Sequence, residues 1–434
     1  MMTFIRKYTA VRTECLRKIR RARRFSGLCV ITCAVFVCSC AVMRKDPLVI
    51  WTDRAEFAPY IELFNASQDK VKTIAVYKRS PAQLFPPPKA APAPDIIIAP
   101  GLKNQKARSR FLPLNRLFSA GKIDKDDFYA NLLTHGIING KICFLPVSFN
   151  LTAVIFDSER ENESLIPHEY LISLSQMREA AERFNGQKER QTASMGFGTS
   201  WEKSFLYLAA KLYGARFRSG LNGIEWDTEA LQDAVQFLRG WTLSANISTA
   251  AEEDFAFKYL YMPPERQVLS GICLFACAPS GSLFMIPEDI QENISFRWLH
   301  KNFQIPADDE CVYFAINKES KNIPAAEFFA DWFFREETQR ALMERSNAMR
   351  LNTAAFGIAG GFSSLKQVTE RVFPAYYPQL LGNIPPVEYI TAPEMLPQRW
   401  DDIRQEVIIP YLSAVCDTRN DPAVVRPLAE GFTE

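Results

Sequence analysis

The sequence predicts an α/β fold in which mostly parallel sheets are flanked by helices. Short apolar, β-branched runs alternate with segments whose apolar residues recur at helical spacing, which is the order of elements in a parallel sheet. The chain of 434 residues is 47% hydrophobic and 23% charged. That composition is typical of globular proteins, and the length allows two domains with separate cores.

The first elements follow this pattern closely. Strands are predicted from short apolar runs at 45–53, 71–78 and 96–100. Between the first two runs, Phe57, Tyr60, Ile61 and Phe64 recur at helical spacing, which predicts a helix. Six prolines lie in the segment RSPAQLFPPPKAAPAPD that precedes the third run. Because proline fixes φ and lacks an N–H, an extended surface connection is expected there.

Later segments continue the alternation. Asn139-Gly140 predicts a turn that opens a long extended run to Asp157. Ser173 and Gln176 have the spacing of a capping box at the start of a helix. Further helices are predicted at 227–241, where Asp227 is the expected cap, and at 324–346, with strands at 271–278 and 311–317.

The first 39 residues differ from the rest of the chain. Nine Lys and Arg side chains and one Glu precede or flank an uncharged apolar run at 25–39, which leads into Cys40. A basic segment followed by a short apolar run is typical of a secretory signal peptide. Val37-Cys38-Ser39-Cys40 resembles the lipobox of bacterial lipoproteins. The resemblance implies that residues 1–39 are removed and that Cys40 carries the acyl chains of a membrane anchor.

Two other interpretations of this segment stay open. Residues 25–43 are nearly long enough for an uncleaved membrane helix, which needs about 20 apolar residues. The four cysteines between Cys29 and Cys40 could also bind a metal ion. They lie on one apolar run without a nearby histidine, however, whereas metal ligands usually come from separated segments.

The rest of the chain is acidic. Without residues 1–39 it carries 42 basic and 48 acidic side chains, a net charge of −6. This balance argues against nucleic acid or an anionic lipid surface as a partner. Five further thiols lie in apolar contexts and are predicted to be buried, with one disulfide left open: Cys143, Cys273, Cys277, Cys311 and Cys416.

The motifs of common enzyme classes are absent from the sequence. It has no P-loop, no GxGxxG after a strand, no GxSxG and no HExxH. His135, His168 and His300 stand alone, and the carboxylate runs 252–254 and 308–310 are predicted to be solvated loop charges. We therefore predict no catalytic residue, no metal and no cofactor. A glycoside hydrolase stays open, because the fold could bring two carboxylates together.

The order of segments resembles the extracellular solute-binding proteins of ATP-driven importers, specifically the sugar-binding group that includes maltose-binding protein. LVIWTD, PYIELFNASQDKVKTIAVY and PDIII are similar to the opening strands and helix of that family. NGKICFLPVSFNLTAVIFD and SGICLFACAPSGS resemble its two hinge-crossing stretches, and INKESKNIPAAEFFADWFFREETQRALM resembles the helix after its return strand. The similarity spans nearly all of residues 46–420.

The resemblance implies two lobes joined by hinge crossings that close over a ligand. The expected N-terminal lobe comprises 46–148 plus 278–346, and the expected C-terminal lobe comprises 149–277 plus 347–434. The implied protein is a lipid-anchored monomer at the cell membrane, facing the periplasm or the exterior. It would capture a sugar or related polar solute and deliver it to the permease subunits of an ABC importer. The alternative is a surface lipoprotein that keeps the fold as a sensor or adhesion module without transport.

Candidate ligand contacts also follow from the resemblance. Trp51, Thr52 and Asp53 end the first strand, where the carboxyl ends of parallel strands face a crevice. Asn150 falls where maltose-binding protein has a sugar-binding carboxylate, so an amide implies a different pattern of bound hydroxyls.

Four more candidates come from the middle and the end of the chain. Trp201 lies where the family carries an aromatic cluster at the ligand. Ser280 and Gly281 occupy the expected second crossing, where the family often has Gly-Pro-Trp. Trp400, near the C-terminus, is expected to stack on a sugar ring. The missing tryptophan at the second crossing and the uncharged Pro100 leave the identity of the solute open.

Overall fold

The computed structural model describes residues 46–89, 91–161, 166–167, 169–187, 194–221 and 223–432. The predicted signal peptide at 1–39, the lipidation site Cys40, the alternative membrane helix at 25–43 and His168 lie outside the described residues. No helix in the described part of the chain is both long and apolar enough to cross a membrane.

Strands and helices alternate along the first part of the chain, whereas the later part follows no regular alternation. The strands are β1 (Leu48–Thr52), β2 (Thr73–Tyr77), β3 (Ile96–Ala99), β4 (Ile137–Ile138), β5 (Lys141–Ile142), β6 (Leu145–Phe149), β7 (Thr152–Asp157), β8 (Leu171–Ser173), β9 (Arg218–Ser219), β10 (Ile224–Glu225), β11 (Ala276–Pro279), β12 (Ile294–His300), β13 (Ile305–Pro306), β14 (Val312–Ile316), β15 (Phe362–Ser363) and β16 (Ile390–Thr391). The α-helices are α1 (Phe57–Ser67), α2 (Pro81–Leu84), α3 (Asn115–Ser119), α4 (Ala130–His135), α5 (Leu174–Gln187), α6 (Lys203–Tyr213), α7 (Thr228–Ala245), α8 (Thr249–Lys258), α9 (Pro264–Leu269), α10 (Ser280–Leu283), α11 (Glu288–Gln291), α12 (Ile323–Phe333), α13 (Glu336–Ala348), α14 (Trp400–Ile403) and α15 (Ile409–Cys416). A π-helical turn, Arg404–Ile408, joins α14 to α15.

Two main sheets organise the molecule into two lobes. The first sheet has six strands in the order β15-β6-β14-β3-β1-β2, and the second has four in the order β11-β7-β12-β8. The predicted α/β class and its two lobes are confirmed, with one correction to the strand directions. β1 pairs in parallel with β2 and β3, but β14, β6 and β15 add in antiparallel fashion, and β7 pairs antiparallel with both its neighbours. The sheets are therefore mixed rather than mostly parallel. β7 and β14 each enter their sheet from a crossing segment, with no helical crossover to turn them parallel to their neighbours.

Within the described residues, three segments carry the chain between the two lobes. Asn150 and Leu151 join β6 to β7, residues 301–311 lead from β12 back to β14, and residues 392–399 lead from β16 toward α14. The expectation that SGICLFACAPSGS forms a crossing is wrong. Its strand β11 pairs with β7 within the second sheet, and α10 then turns the chain back toward β12.

The predicted lobe boundaries stay a prediction. Strand pairing assigns Ile294–His300 to the second sheet and Phe362–Ser363 to the first sheet. We therefore propose that 278–300 belongs with the second lobe and 347–391 with the first lobe.

The local patterns of the sequence account for several helix boundaries. The Ser173–Gln176 capping box forms: the Ser173 N–H donates to Gln176 Oε1 at 2.8 Å, and the Gln176 N–H donates to Ser173 Oγ at 3.2 Å. Asp227 caps α7 by accepting from the Ala230 N–H at 3.0 Å. The predicted helix at 324–346 is instead two helices, because Arg335 is extended between α12 and α13. Within the proline-rich connection, Pro81 opens the one-turn helix α2, a position where its missing N–H costs nothing.

Two apolar cores fill the molecule, and the first of them reaches both sheets. In the first lobe, Phe64 of α1 packs on Phe329 and Trp332 of α12, with ring centroids 5.0 Å apart in both pairs. In the second lobe, β7 alternates between two cores: Val154 and Phe156 face α5, α6, α7 and α15, whereas Ala153 and Ile155 join the first core. The five predicted thiols are free; four are buried and Cys277 is half-buried.

Candidate functional site

A cleft lies where the two lobes meet the crossing segments. It holds a first cavity of about 300 Å³ and a second cavity of about 320 Å³. Both cavities are lined by Arg54, Asp309 and Glu310, so they form one continuous cleft. Arg54 follows β1 of the first lobe, while Asp309 and Glu310 belong to the 301–311 crossing. The second lobe contributes α6 to the first cavity through Tyr207 and Lys211.

Asp309 is the most heavily bonded carboxylate of the cleft. It accepts hydrogen bonds from the Tyr207 hydroxyl at 2.6 Å, the Lys211 ammonium at 2.6 Å and the Trp400 indole at 2.7 Å. An Arg404 nitrogen lies 3.7 Å away. Burial disfavours its ionisation, but the nearby Lys211 charge and these hydrogen bonds outweigh burial and lower the pKa of Asp309. Asp309 thus holds α6 and the start of α14 against the 301–311 crossing.

Asp308 has the opposite environment, although it is the adjacent residue. Its backbone N–H donates to the Asn150 carbonyl at 3.0 Å, which ties two crossings together. Its carboxylate lines the first cavity. Among the described residues it has no hydrogen-bond or ion-pair partner. Burial raises the pKa of Asp308 to about 6, against the charge of Lys211 and with help from Asp309 and Glu310.

Glu202 adds a second carboxyl group to the first cavity. It precedes α6, and its described polar partner is the Ser204 side chain. Burial raises the pKa of Glu202. Cys277 of β11 lines the same cavity, and burial together with the charge of Glu202 raises the pKa of its thiol well above the usual value.

The candidates at the end of β1 divide between the core and the cleft. Trp51 is buried, with Lys78 Nζ 5.1 Å from its ring centroid, and Thr52 is buried with its Oγ1 accepting from the Arg54 N–H at 3.0 Å. Asp53 lines the second cavity, 3.4 Å from Arg54 Nε. Burial raises the pKa of Asp53 to about 6, although the charge of Arg54 opposes the rise.

The candidates at the first crossing lie together. Asn150 lines the first cavity; its Nδ2 donates to the Gly360 carbonyl at 2.9 Å and its Oδ1 accepts from the Ser280 hydroxyl at 2.7 Å. Ser280 is fully buried behind Asn150. A Cβ on Gly281 would lie 3.2 Å from Asn150 Oδ1, so glycine fits this close approach. Ser280 and Gly281 thus lie behind Asn150 rather than among the residues that line either cavity.

The two remaining tryptophans differ in placement. Trp400 lines the second cavity, but its ring is 7% exposed because it packs near Tyr207 and Phe217. Trp201 lines neither of these cavities. Its ring stacks on Phe255 at 4.9 Å and its indole N–H donates to the Glu252 carbonyl at 3.1 Å. We therefore leave Trp201 out of the proposed site.

Sequence reasoning missed the acidic residues of the cleft. The run 308–310 was predicted to be solvated, which is wrong for Asp309, whose side chain is nearly buried, while Asp308 is half-buried. Glu252, in the other run, is also buried and accepts from the Ser200 N–H, the Ser200 hydroxyl and Asn246 Nδ2. The position of Asp308 and Asp309 just before an apolar return strand was the available sign of a cleft location. Within the described residues, no group of three or more His, Cys, Asp or Glu side chains could hold a metal ion.

Comparisons with known proteins reveal similarity at the level of structure. Neither the protein-family models nor the curated proteins give a match. The sugar-binding protein MalE from Xanthomonas citri superposes with a TM-score of 0.66 at 11% identity, over 89% of this chain and 95% of that chain. The cyclic α-maltosyl-1,6-maltose binding protein from Arthrobacter globiformis gives a TM-score of 0.59 at 14% identity, over 89% and 96%. UgpB from Mycobacterium tuberculosis, solved with glycerophosphocholine, gives 0.57 at 14% identity, over 90% and 96%.

These matches cover both lobes and the crossings that join them. The chain therefore has the two-lobed α/β fold of the extracellular solute-binding proteins.

Proposed function

We propose that this protein is the solute-binding component of an ABC importer, which captures a sugar or a related polar solute and delivers it to membrane permease subunits. The observation that carries the proposal is the cleft itself. Its two connected cavities, of about 300 and 320 Å³, combine carboxyl, amide and hydroxyl groups contributed by both lobes. Cavities of this size and chemistry suit small polar molecules.

The lining favours a solute with several hydroxyl groups. Thr152, Ser204 and Asn150 surround the carboxyl groups of the first cavity. Tyr77 and Trp400 line the second cavity, and Tyr77 is 63% exposed, so its ring is free to stack on the C–H face of a sugar. Among the similar structures, one is named a cyclic α-maltosyl-1,6-maltose binding protein, one was solved with mannotriose and one with glycerophosphocholine, and each of these compounds carries hydroxyl groups.

The positions of the lining residues favour capture of the solute by closure of the two lobes. A solute that touches Arg54 of the first lobe and Tyr207 of the second lobe contacts more protein when the lobes are closed. Its binding energy therefore shifts the equilibrium toward the closed form. We further propose that residues 1–39 are removed and that acylated Cys40 holds the protein at the membrane, beside its permease.

Ligand-induced thermal stabilisation tests this function. Purified protein is melted with a panel of sugars, sugar phosphates, polyols and peptides, and a hit is quantified by calorimetry. At 100 times its dissociation constant, a solute should add about 2.7 kcal/mol to the free energy of unfolding. Tyr77→Ala should weaken that binding. Tyr261→Ala, which removes an exposed tyrosine that lines neither cavity, is the matched control and should not. Absence of any stabilisation across the panel would refute the proposal.

A further inference from the structure

The charges of the first cavity do not balance. It is lined by four carboxyl groups, those of Glu202, Asp308, Asp309 and Glu310. The cations that line it are Arg54, Lys211 and Arg404. Whether a carboxyl group lacks a counter-charge depends on which carboxyl groups these three cations already pair with.

Each of the three cations is engaged by a carboxylate other than Asp308 or Glu202. Lys211 Nζ lies 2.6 Å from Asp309 and also donates to the Ala307 carbonyl at 3.0 Å. Arg404 pairs with Asp401 at 2.5 Å and approaches Asp309 at 3.7 Å. Arg54 lies 3.4 Å from Asp53 and 3.8 Å from Glu310.

Neither Asp308 nor Glu202 therefore forms an ion pair with these cations, although the charges of Lys211 and Arg404 still act on Asp308 from a greater distance. No ion pair involving either carboxylate is found among the described residues, and of the two carboxylates only that of Glu202 has a hydrogen-bond partner there, the Ser204 side chain. Glu202 is exposed, whereas Asp308 is half-buried. A carboxylate that is partly withdrawn from water without a close counter-charge is costly, and an incoming cation relieves that cost. A neutral sugar can offer only hydroxyl donors, and an anionic sugar would be repelled.

We infer that the solute of the first cavity carries a protonated amine beside its hydroxyl groups, as an amino sugar does, and that Asp308 is the carboxylate that receives the ammonium. The inference rests on the proposed function and narrows its substrate class. Thr152, Ser204 and Gln405 line the same cavity and supply partners for the hydroxyl groups.

The cavity favours an N–H cation over a quaternary ammonium. A quaternary ammonium needs open aromatic faces. The ring of Tyr207 already has Lys211 Nζ at 5.7 Å and Arg404 at 5.8 Å from its centroid, and its hydroxyl is bound to Asp309. A primary ammonium instead donates short, charge-assisted hydrogen bonds to a carboxylate such as Asp308.

Calorimetry with matched solutes tests the inference. Glucosamine, N-acetylglucosamine and glucose share one ring and differ in the group at C2; chitobiose, N,N′-diacetylchitobiose and cellobiose form a second such set. At pH 7.5 and low salt, the amine of at least one set should bind about tenfold or more tightly than its acetylated and hydroxyl counterparts. Equal or tighter binding of the neutral members would overturn the inference, yet the proposed function would stand.

Two variants identify the carboxylate responsible. Asp308→Asn should weaken binding of the amine about tenfold and weaken binding of the neutral counterparts much less, so that the preference for the amine is lost. Glu310→Gln removes the same charge from the next-but-one residue, whose carboxylate already lies near Arg54, and should weaken amine binding less than about threefold. Circular dichroism confirms that each variant is folded. Undiminished amine binding by Asp308→Asn would refute the role of Asp308, and a failure of every solute, neutral or charged, would refute the proposed function together with this inference.

Discussion

Neighbouring carboxyl groups in this protein have opposite effects on its stability. Asp309 accepts three hydrogen bonds and lies beside two cations, whereas Asp308 has no described polar partner for its carboxylate. The ionised form of Asp309 is therefore stabilised in the folded state, and the ionised form of Asp308 is destabilised. The two residues make separable predictions.

Asp308→Asn should stabilise the solute-free protein at neutral pH and not at acid pH. The folded pKa of Asp308, about 6, lies above its usual value of 3.8, so its ionised form opposes folding. That penalty is absent below about pH 4, where the group is protonated in both states, and is complete above about pH 6. We expect the variant to gain about 2 kcal/mol at pH 7.5 and almost nothing at about pH 3.

Thermal melts followed by circular dichroism at the two pH values measure this difference. Asp69→Asn, at an exposed position, is the control and should change stability by less than about 0.5 kcal/mol at either pH. An equal gain for Asp308→Asn at both pH values would contradict the assignment.

Glu252→Ala should be strongly destabilising. Glu252 is completely buried and accepts from the Ser200 N–H at 2.9 Å and from Asn246 Nδ2 at 2.7 Å. Removing it leaves these buried donors without an acceptor, at a cost of about 3 kcal/mol. Urea unfolding measures the loss. Glu253→Ala changes the exposed neighbour and should cost less than about 1 kcal/mol, so similar losses in the two variants would argue against the buried network.

At the scale of the elements, the N-terminus of α5 offers a prediction about a single helix. Ser173→Ala removes the capping hydroxyl that accepts from the Gln176 N–H, and it should cost about 1 kcal/mol. Ser175→Ala, at an exposed position in the first turn, should stay within about 0.5 kcal/mol of the wild type. Urea unfolding of the two variants checks the difference, and equal stabilities would mean that the capping box contributes nothing.

Elements whose boundaries depend on nearby residues could be predicted from the sequence. The turn at Asn139-Gly140 forms with φ of 48° and 76°, and the cap of Asp227 forms as expected. Elements that depend on distant partners could not. The strand expected at 271–278 begins only at Ala276, because the Leu274 and Phe275 N–H groups donate to the Gly196 carbonyl instead. The apolar stripe of 324–346 likewise gave no indication of the break at Arg335.

At the scale of the whole molecule, Asp309 connects parts of the chain that are far apart in sequence. Asp309→Asn should loosen the contact between the 301–311 crossing and α14, because Lys211 loses its counter-charge and the Trp400 indole loses its charged acceptor. We expect a loss of about 3 kcal/mol in the free energy of unfolding. Hydrogen exchange should become faster in Trp400–Cys416.

Asp402→Asn provides the control for this prediction. Asp402 is half-exposed and pairs with Arg399 at 2.7 Å on the outside of the same helix. Its substitution should leave exchange in Trp400–Cys416 nearly unchanged. Faster exchange in both variants would indicate general fraying of the helix rather than a specific role for Asp309.

The cleft could be predicted only in outline. Asp53, Asn150 and Trp400 do line its cavities: Asp53 follows β1, Asn150 lies in the first crossing, and Trp400 begins the helix after the last crossing. Glu202, Asp308 and Asp309 come from separate segments, and only the folded chain shows which carboxylate finds a cation. The position of the second crossing depended in the same way on the pairing of β11 with β7.

Cys277 provides a way to detect a bound ligand in the cleft before the natural ligand is identified. Its thiol lines the first cavity, while the other four described cysteines are buried. Alkylation of Cys277 should be slow at neutral pH, because the raised pKa keeps its thiol protonated, and should become faster in mild alkali. A molecule bound in the cavity should protect this sulfur from alkylation. Peptide mapping after a timed iodoacetamide pulse would therefore show whether an extract contains a ligand of the cleft. An extract that slows the alkylation of Cys277 and of no other cysteine would contain the ligand.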